Sequence, residues 1–204
     1  MGCVVEREQI TRDTSTRDKI VKAADRLFYE KGFEKTSFAD IAETVNISRG
    51  NFYYHFKSKD DILDAVITQR LANTRQMLKE WEIAGATPEE RIGSFIKILI
   101  VNKGKIQNYG CPVGSLCAEL AKLSHAALDD ATELYTLFRV WLRRQFGLLG
   151  LKKDSDRLAM HLLARSQGVA TLANALHDET FIRREVNEMI DWLRNIIAGT
   201  KTQI

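Results

Sequence analysis

Hydrogen-bond donors are concentrated in one short segment of the chain, residues 45–59. This segment contains the three cations Arg49, Lys57 and Lys59 and no acidic residue, whereas the flanking segments carry charges of both signs. Guanidinium, ammonium, amide and phenol groups bind phosphate oxygens and the edges of bases. The chemistry that this segment can perform is therefore recognition of nucleic acid.

A short helix before this segment is predicted to help position these donors. Ser37 and Asp40 have the spacing of a capping box, and apolar residues follow them at helical intervals. Asn46 tolerates the left-handed backbone that often ends a helix, and Ser48 can cap the next one. The order cap, helix, tight turn and new cap indicates two helices that follow each other closely.

The second helix has one apolar side and one polar side. Phe52 and Phe56 form an i, i+4 pair that is predicted to face the core, which leaves the polar side chains to solvent or a ligand. Arg49 can form two hydrogen bonds with guanine, and Asn51 can reach a base edge or a phosphate. Residues 36–59 are therefore predicted to form a helix-turn-helix that reads DNA.

Residues 17–67 resemble the DNA-binding domain of the TetR family of bacterial regulators. The runs Ile20–Phe33, Thr36–Ala42 and Asn51–Lys59 carry the resemblance, while the rest of the chain is similar to that family in length and helical character. The resemblance implies phosphate contacts from hydroxyls, helix N-termini and the polar side chains of the second helix. The complete set of predicted DNA contacts is Thr36, Ser37, Ser48, Arg49, Asn51, Tyr53, Tyr54, His55, Lys57 and Lys59.

The composition is that of an ordinary globular protein. The chain has 204 residues, 45% of them hydrophobic and 28% charged, and its net charge is only +3. It has two prolines, which favours helices, and no apolar run of about 18 residues that would span a membrane. The three cysteines, at positions 3, 111 and 117, form no Cys-x-x-Cys pair, which argues against a disulfide framework. We expect a protein of the reducing cytoplasm.

The whole chain is predicted to be all-α, with nine helices in a TetR-like architecture. Residues 1–15 are expected to be a flexible leader, residues 16–60 the helix-turn-helix domain, and residues 61–204 a ligand-binding and dimerisation domain. Within the last of these, residues 61–82 are the predicted linking helix. The segment 104–114 contains three glycines and a proline, so it is predicted to be a bent connection.

The last two predicted helices, about 155–176 and 179–197, carry wide apolar stripes and several small residues. Both features suit a two-fold dimer, although the same stripes also suit an ordinary core. A single recognition helix contacts few base pairs, which favours the dimer. The TetR resemblance implies the same arrangement, with two recognition helices about 34 Å apart on a palindromic operator.

The TetR resemblance also implies that a small molecule binds the C-terminal helices and shifts the protein to a state that releases DNA. Candidate pocket residues are aromatic or sulfur-containing side chains on the middle helices, although these residue types also fill ordinary cores. They are Phe95, Tyr109, Cys111, Cys117, Tyr135, Phe138, Trp141, Met160 and His161. We expect no cofactor other than this effector.

Cys111 is a candidate redox residue. Residues 110–121 resemble a segment in a TetR branch in which some members sense electrophiles or oxidants with this cysteine. At a junction between a loop and a helix, unpaired backbone amides favour a thiolate. Cys117 follows six residues later and can act as the resolving thiol for Cys111 only if the segment bends.

Two other classes of function have weaker support in the sequence. A metal-sensing regulator would need Cys111, Cys117, His125 or His161 to be brought together by folding. An enzyme is disfavoured, because no nucleophile elbow, phosphate-binding glycine loop, metalloprotease motif or carboxylate pair occurs. We therefore predict a DNA-binding repressor that a small molecule releases from its operator.

Overall fold

The computed structural model describes residues 15–201, and ten helices without any strand make up this part of the chain. The predicted leader lies outside the described residues, apart from Ser15, and so does Cys3. The helices are α1 (Thr16–Lys31), α2 (Phe38–Val45), α3 (Arg49–His55), α4 (Lys59–Ala84), α5 (Pro88–Val101), α6 (Lys103–Tyr109), α7 (Pro112–Lys122), α8 (Leu128–Leu148), α9 (Ser155–Leu176) and α10 (Glu179–Lys201).

The all-α prediction is confirmed, and the structure has one helix more than the nine expected. The additional helix is α6, which lies in the predicted connection. Asn102 ends α5 and accepts the first backbone hydrogen bond of α6, from the Ile106 N–H at 2.9 Å. Gly104 disfavours a helix by about 1 kcal/mol. Burial of Ile106 against the C-terminal helices offsets this cost, and Gly110 ends the helix with φ of 76°.

Capping residues mark several helix boundaries, including the end of α2 that is predicted at Asn46. Ser58 and Asp61 form a capping box at the start of α4, where the Ser58 N–H donates to Asp61 Oδ2 at 2.9 Å. Hydrogen bonds from Ser58 and Lys57 hold the pKa of the Asp61 carboxyl below its usual value. Asn46 ends α2 in the left-handed conformation, with φ of 54°. These contacts join residues at most four positions apart, which is why the sequence reveals them.

Two clusters of buried side chains form the core. The first joins α1, α2, α3 and the first half of α4 to α7 and the beginning of α8. The second joins the end of α4 to α5, α6, α8, α9 and α10. The predicted domain division after residue 60 stays a prediction, because the first cluster continues across it. Among the described residues, none of the helices has the length and apolarity to cross a membrane.

Candidate functional site

Helix α3 is anchored by two phenylalanines and begins at a side-chain cap. Phe52 and Phe56 are 1% and 3% exposed, which confirms their predicted place in the core. The Asn51 N–H donates to Ser48 Oγ at 3.3 Å, so this hydroxyl satisfies one of the free amides at the start of the helix. The guanidinium of Arg17 covers the Phe56 ring at 5.0 Å. Helix α3 is therefore anchored to the core on its apolar side, and its opposite side is exposed to solvent.

The exposed side of α3 carries the predicted DNA contacts. Arg49 and Asn51 are exposed, and Tyr54 is 78% exposed, which is unusual for an aromatic side chain. The Tyr53 ring packs on Phe38 with 5.4 Å between centroids, so this side chain is supported while it stays half exposed. His55 is half-buried. Guanidinium, amide and phenol groups thus lie together on the exposed part of this helix.

Hydroxyls and cations at the edges of this surface have varied surroundings. Ser37 and Ser48 are exposed at the N-termini of α2 and α3. Ser37 also hydrogen bonds with Asp40, as part of the capping box of α2. Lys57 is exposed, and its ammonium donates to the Tyr53 carbonyl at 2.6 Å, near the end of α3. These three groups lie where the prediction expects phosphate contacts.

Thr36 and Lys59 have structural roles in place of the predicted contacts. Thr36 is 1% exposed, and its hydroxyl donates to the Gly32 carbonyl at 2.7 Å. The Lys59 ammonium donates to the carbonyls of Phe33 and Glu34 at 3.1 and 3.2 Å. It also lies 4.3 Å from the centre of the Phe33 ring. Both polar groups are therefore committed to the turn between α1 and α2.

A cavity of about 100 Å³ lies between α5, the start of α7, α8 and α9. Four of the predicted pocket residues line it: Phe95, Cys111, Tyr135 and Phe138. Ten further residues complete the lining: Ile98, Leu99, Asn102, Ile106, Pro112, Val113, Leu163, Ser166, Gln167 and Ala170. The cavity is smaller than ligand pockets of roughly 300–1,000 Å³, so a larger molecule can bind only if a wall moves.

The other five predicted pocket residues lie elsewhere. Cys117 is buried in the first core cluster, and Trp141 is buried in the second. Tyr109 borders a groove between α1, α4 and α6. Met160 and His161 are exposed on α9, where the His161 ring stacks on Trp192. Residue type alone therefore does not identify the lining of one cavity, because these five side chains lie in different parts of the fold.

Sequence reasoning missed the polar end of the cavity. The Tyr135 hydroxyl donates to Gln167 Oε1 at 3.2 Å, and the Gln167 amide nitrogen can then donate to a bound molecule. Burial raises the pKa of Tyr135, so its hydroxyl stays protonated at neutral pH. The missed signal was a pair of polar residues, Ser166 and Gln167, among the apolar residues Leu163 and Ala170.

The two described cysteines differ in their surroundings. Cys111 is the N-cap residue of α7, is half-buried and borders the cavity. Cys117 is 7% exposed, and burial, followed by its proximity to Cys111, raises its pKa to about 11. Six residues along a helix correspond to about 9 Å, whereas a disulfide needs Cα atoms within roughly 7 Å. A bond between them would therefore require α7 to unwind.

The predicted metal ligands are not brought together. The Nδ1 atom of His125 accepts a hydrogen bond from the Ala127 N–H, and its Nε2 lies 3.4 Å from Asp60. Over residues 15–201, no three His, Cys, Asp or Glu side chains converge in a way that could hold a metal ion. The donor geometry therefore does not support the metal-sensing alternative.

Comparison with known sequences identifies the helix-turn-helix. The family model described as "Bacterial regulatory proteins, tetR family" matches residues 20–66. The transcriptional regulator TtgR of Pseudomonas putida is 25% identical over 86% of this chain and 88% of its own length. IcaR of Staphylococcus aureus, a negative transcriptional regulator of a biofilm operon, is 48% identical over 48 residues, which is 24% of this chain.

Comparison with solved structures extends the similarity to both parts of the fold. A TetR transcriptional regulator from Legionella pneumophila superposes with a TM-score of 0.79 and is 26% identical, covering 89% of this chain and 98% of its own. Among sequences, an uncharacterized helix-turn-helix regulator from Lactococcus lactis is 27% identical over 80% of this chain and 86% of its own length. The chain is a transcriptional regulator that belongs to the TetR family.

Proposed function

We propose that the protein is a dimeric repressor that binds a palindromic operator and is released from it by a small molecule. The observation that carries the proposal is the exposed, acid-free donor surface of α3, which is supported by a buried phenylalanine pair. IcaR, which resembles the helix-turn-helix most strongly of the relatives compared above, is described as a negative regulator. Since its target is DNA, we expect the protein to act in the cytoplasm.

The exposed residues of α3 divide into two roles. Arg49 and Asn51 lie in the first turn, and we assign them to base edges in the major groove. The residues assigned to the phosphate backbone are Ser37, Ser48, Tyr53, Tyr54, His55 and Lys57. Phosphate contacts give affinity that falls with salt, and base contacts give sequence preference. The two roles can therefore be separated by experiment.

The cavity bordered by α7 is the proposed effector site. Its aromatic and aliphatic lining suits an apolar molecule, and Gln167 can donate to a carbonyl or ether oxygen on that molecule. Because the cavity is small, a drug-sized effector has to displace one of its walls. Residues 111–113 form a wall that contacts α4, since Arg70 donates to the Pro112 carbonyl, and displacement of this wall would shift the population towards the released state.

Dimerisation is proposed through α9 and α10. Exposed apolar residues recur on one side of α9, with Leu172 48% and Leu176 64% exposed. Ala164 and Gly168 lie on the same side, and their small size allows a second helix to approach closely. A two-fold axis through this surface would bring two copies of α3 to the same side of the dimer, as a palindrome requires.

A second proposal concerns Cys111, and the cavity supports it because this half-buried cysteine forms part of its wall. An α,β-unsaturated carbonyl compound bound there can react with the thiolate. The sulfur forms a bond to the β-carbon, and the α-carbon takes up a proton from solvent. The covalent adduct would occupy the cavity permanently, and the protein would release the operator. Release by such a compound that persists in Cys111→Ser would contradict this proposal.

The proposed DNA contacts can be tested by mobility shift with DNA from the upstream region of the gene and a random duplex as competitor. We expect Arg49→Ala to lose about 1–3 kcal/mol of discrimination at its base pair. Lys57→Ala should weaken binding to all sequences alike and reduce the slope of affinity against salt by about one ion. Unchanged sequence preference in Arg49→Ala would contradict the assignment.

A further inference from the structure

A carboxylate from the C-terminal part of the fold holds the backbone of the DNA-binding helices. Glu119, on α7, accepts hydrogen bonds from the Phe33 and Glu34 N–H groups, each at 2.9 Å and each on a different oxygen. Residues 33 and 34 lie in the turn between α1 and α2. A charged acceptor with two donors makes a stronger and more directional contact than a single neutral hydrogen bond.

The turn is shaped to receive this carboxylate. Gly32 has φ of 95°, and a Cβ atom added there would lie 3.0 Å from Glu119 Oε1. Glycine therefore permits both the backbone conformation and the approach of the acid. On the carbonyl side of the same turn, the Lys59 ammonium binds Phe33 and Glu34. The turn is thus held by an anion on its amides and by a cation on its carbonyls.

The held turn is close to the start of the helix-turn-helix. Only Lys35 and Thr36 separate Glu34 from Ser37, the residue that caps α2. Thr36 is buried and bonded to the Gly32 carbonyl, so this short connection has little freedom. The position of the turn therefore determines where α2 begins, and α3 follows α2 directly.

Helix α7 connects this turn to the cavity. Pro112 and Val113, at its N-terminal end, border the cavity, whereas Glu119 lies two turns further along. The helix has eleven residues, about 16 Å, and is short enough to move as a rigid rod. The backbone at this end of α7 also accepts hydrogen bonds from α1 and α4. Tyr29 donates to the Gly110 carbonyl and Arg70 to the Pro112 carbonyl, both at 2.7 Å.

We infer that Glu119 is a positioning residue for DNA binding: its carboxylate holds the α1–α2 turn, and through it α2 and α3, in the orientation that fits the operator. The inference rests on the DNA binding put forward under the proposed function. It adds that Glu119 gives α7, which borders the cavity, a charged contact with the turn before the helix-turn-helix, beside the apolar packing of α7 on the same helices. Without the carboxylate, α2 and α3 lose their fixed orientation. Part of the free energy of DNA binding is then spent on restoring it.

Substitution of Glu119 by glutamine separates positioning from simple electrostatics. Removal of a negative charge should by itself strengthen binding to the polyanion DNA. Glutamine, however, has one acceptor oxygen in place of two, so one amide of the turn loses its partner. We expect Glu119→Gln to bind the operator roughly tenfold more weakly than the wild type, the effect of one charged hydrogen bond. The two explanations thus predict changes of opposite sign.

Glu133→Gln is the matched control, because Glu133 is an exposed carboxylate on α8 and its substitution changes the net charge equally. It should bind the operator as tightly as the wild type or slightly more tightly. Equal affinities of the Glu119 and Glu133 variants would overturn the inference. If wild-type protein binds no specific duplex, the proposed function fails, and the test below still decides whether the contact exists.

Hydrogen exchange gives a readout that needs no DNA. In the wild-type protein the Phe33 and Glu34 amides should be protected from exchange, although they follow the end of α1. In Glu119→Gln their exchange should accelerate at least tenfold, while amides in α9 and α10 keep their protection. Unprotected amides in the wild type would contradict the contact. Accelerated exchange throughout the variant would show general destabilisation, and would overturn the positioning role.

Discussion

Cys111 and Cys117 have the same thiol but different access to reagents. Cys117 packs among side chains of the DNA-binding helices, and with a pKa of about 11 it is almost wholly protonated at pH 8. Only the thiolate reacts rapidly with electrophiles. Cys111 is half-buried at the start of α7, beside the cavity. At the scale of single residues, the structure thus distinguishes two positions that the sequence presents as a pair.

We predict that a small alkylating reagent modifies Cys111 well before Cys117. The measurement is peptide mass spectrometry after a timed reaction with iodoacetamide at pH 8, in a Cys3→Ser background that removes the third thiol. A thiol with pKa of about 11 is roughly one-thousandth ionised at this pH, so Cys117 should react at least tenfold more slowly. Equal rates at the two positions would show that burial does not protect Cys117.

Helix α4, the linking helix, begins shortly after the recognition helix α3. The residues that cap α4 therefore also belong to the DNA-binding surface. Asp61 accepts hydrogen bonds from the backbone N–H groups of Lys57 and Ser58 at 3.0 and 2.9 Å. These bonds lower the pKa of Asp61, so the charged carboxylate contributes stability above the usual pKa of the unfolded chain. This contribution is lost as the pH falls through the depressed value.

At the scale of this element, we predict that Asp61→Asn lowers the melting temperature at pH 7 but has little effect at an acidic pH below the depressed pKa. Asparagine has nearly the same shape without the charge, and protonated aspartate is neutral as well. Thermal unfolding followed by circular dichroism at both pH values measures the difference. Asp64→Asn, an exposed position on α4, is the control and should change little. A deficit that stays equal at both pH values would contradict the role of the charge.

The whole molecule presents an apolar surface on α9 that other parts of residues 15–201 do not cover. Leu172 and Leu176 are 48% and 64% exposed, and they lie four residues apart on one side of the helix. Exposed apolar surface of this extent indicates an interaction surface. Together with α10, it is the surface on which the proposed dimer depends.

We predict that Leu172→Lys converts the proposed dimer into a monomer, because two buried ammonium groups would face each other across a two-fold axis. Size-exclusion chromatography with light scattering measures the mass directly, and operator affinity should fall with it. Ile83→Lys, at an 85% exposed position on α4, adds the same charge away from α9 and α10 and should leave the dimer intact. A dimeric Leu172→Lys protein would exclude α9 from the interface.

Much of the fold was predictable from local patterns. The capping boxes at Ser37, Ser58 and Thr87, the left-handed Asn46 and the buried phenylalanines of α3 all depend on neighbours within a few residues. Helix α6 was not predicted, because its glycine disfavours a helix locally and only packing against distant residues compensates. The same limit applied to the cavity, since aromatic and sulfur-containing residues occur both around it and in the surrounding cores.

The sequence by itself determined the class of the protein: a capped helix-turn-helix with a donor-rich surface, on an all-α chain of the TetR family. Only the tertiary structure decided which polar groups are free to act. Thr36 and Lys59 look like phosphate ligands in the sequence, yet both are bound to the α1–α2 turn. Glu119 looks like a surface acid, yet it holds an amide 86 residues away. Contacts between distant segments arise only when the whole core packs, so no local pattern reveals them.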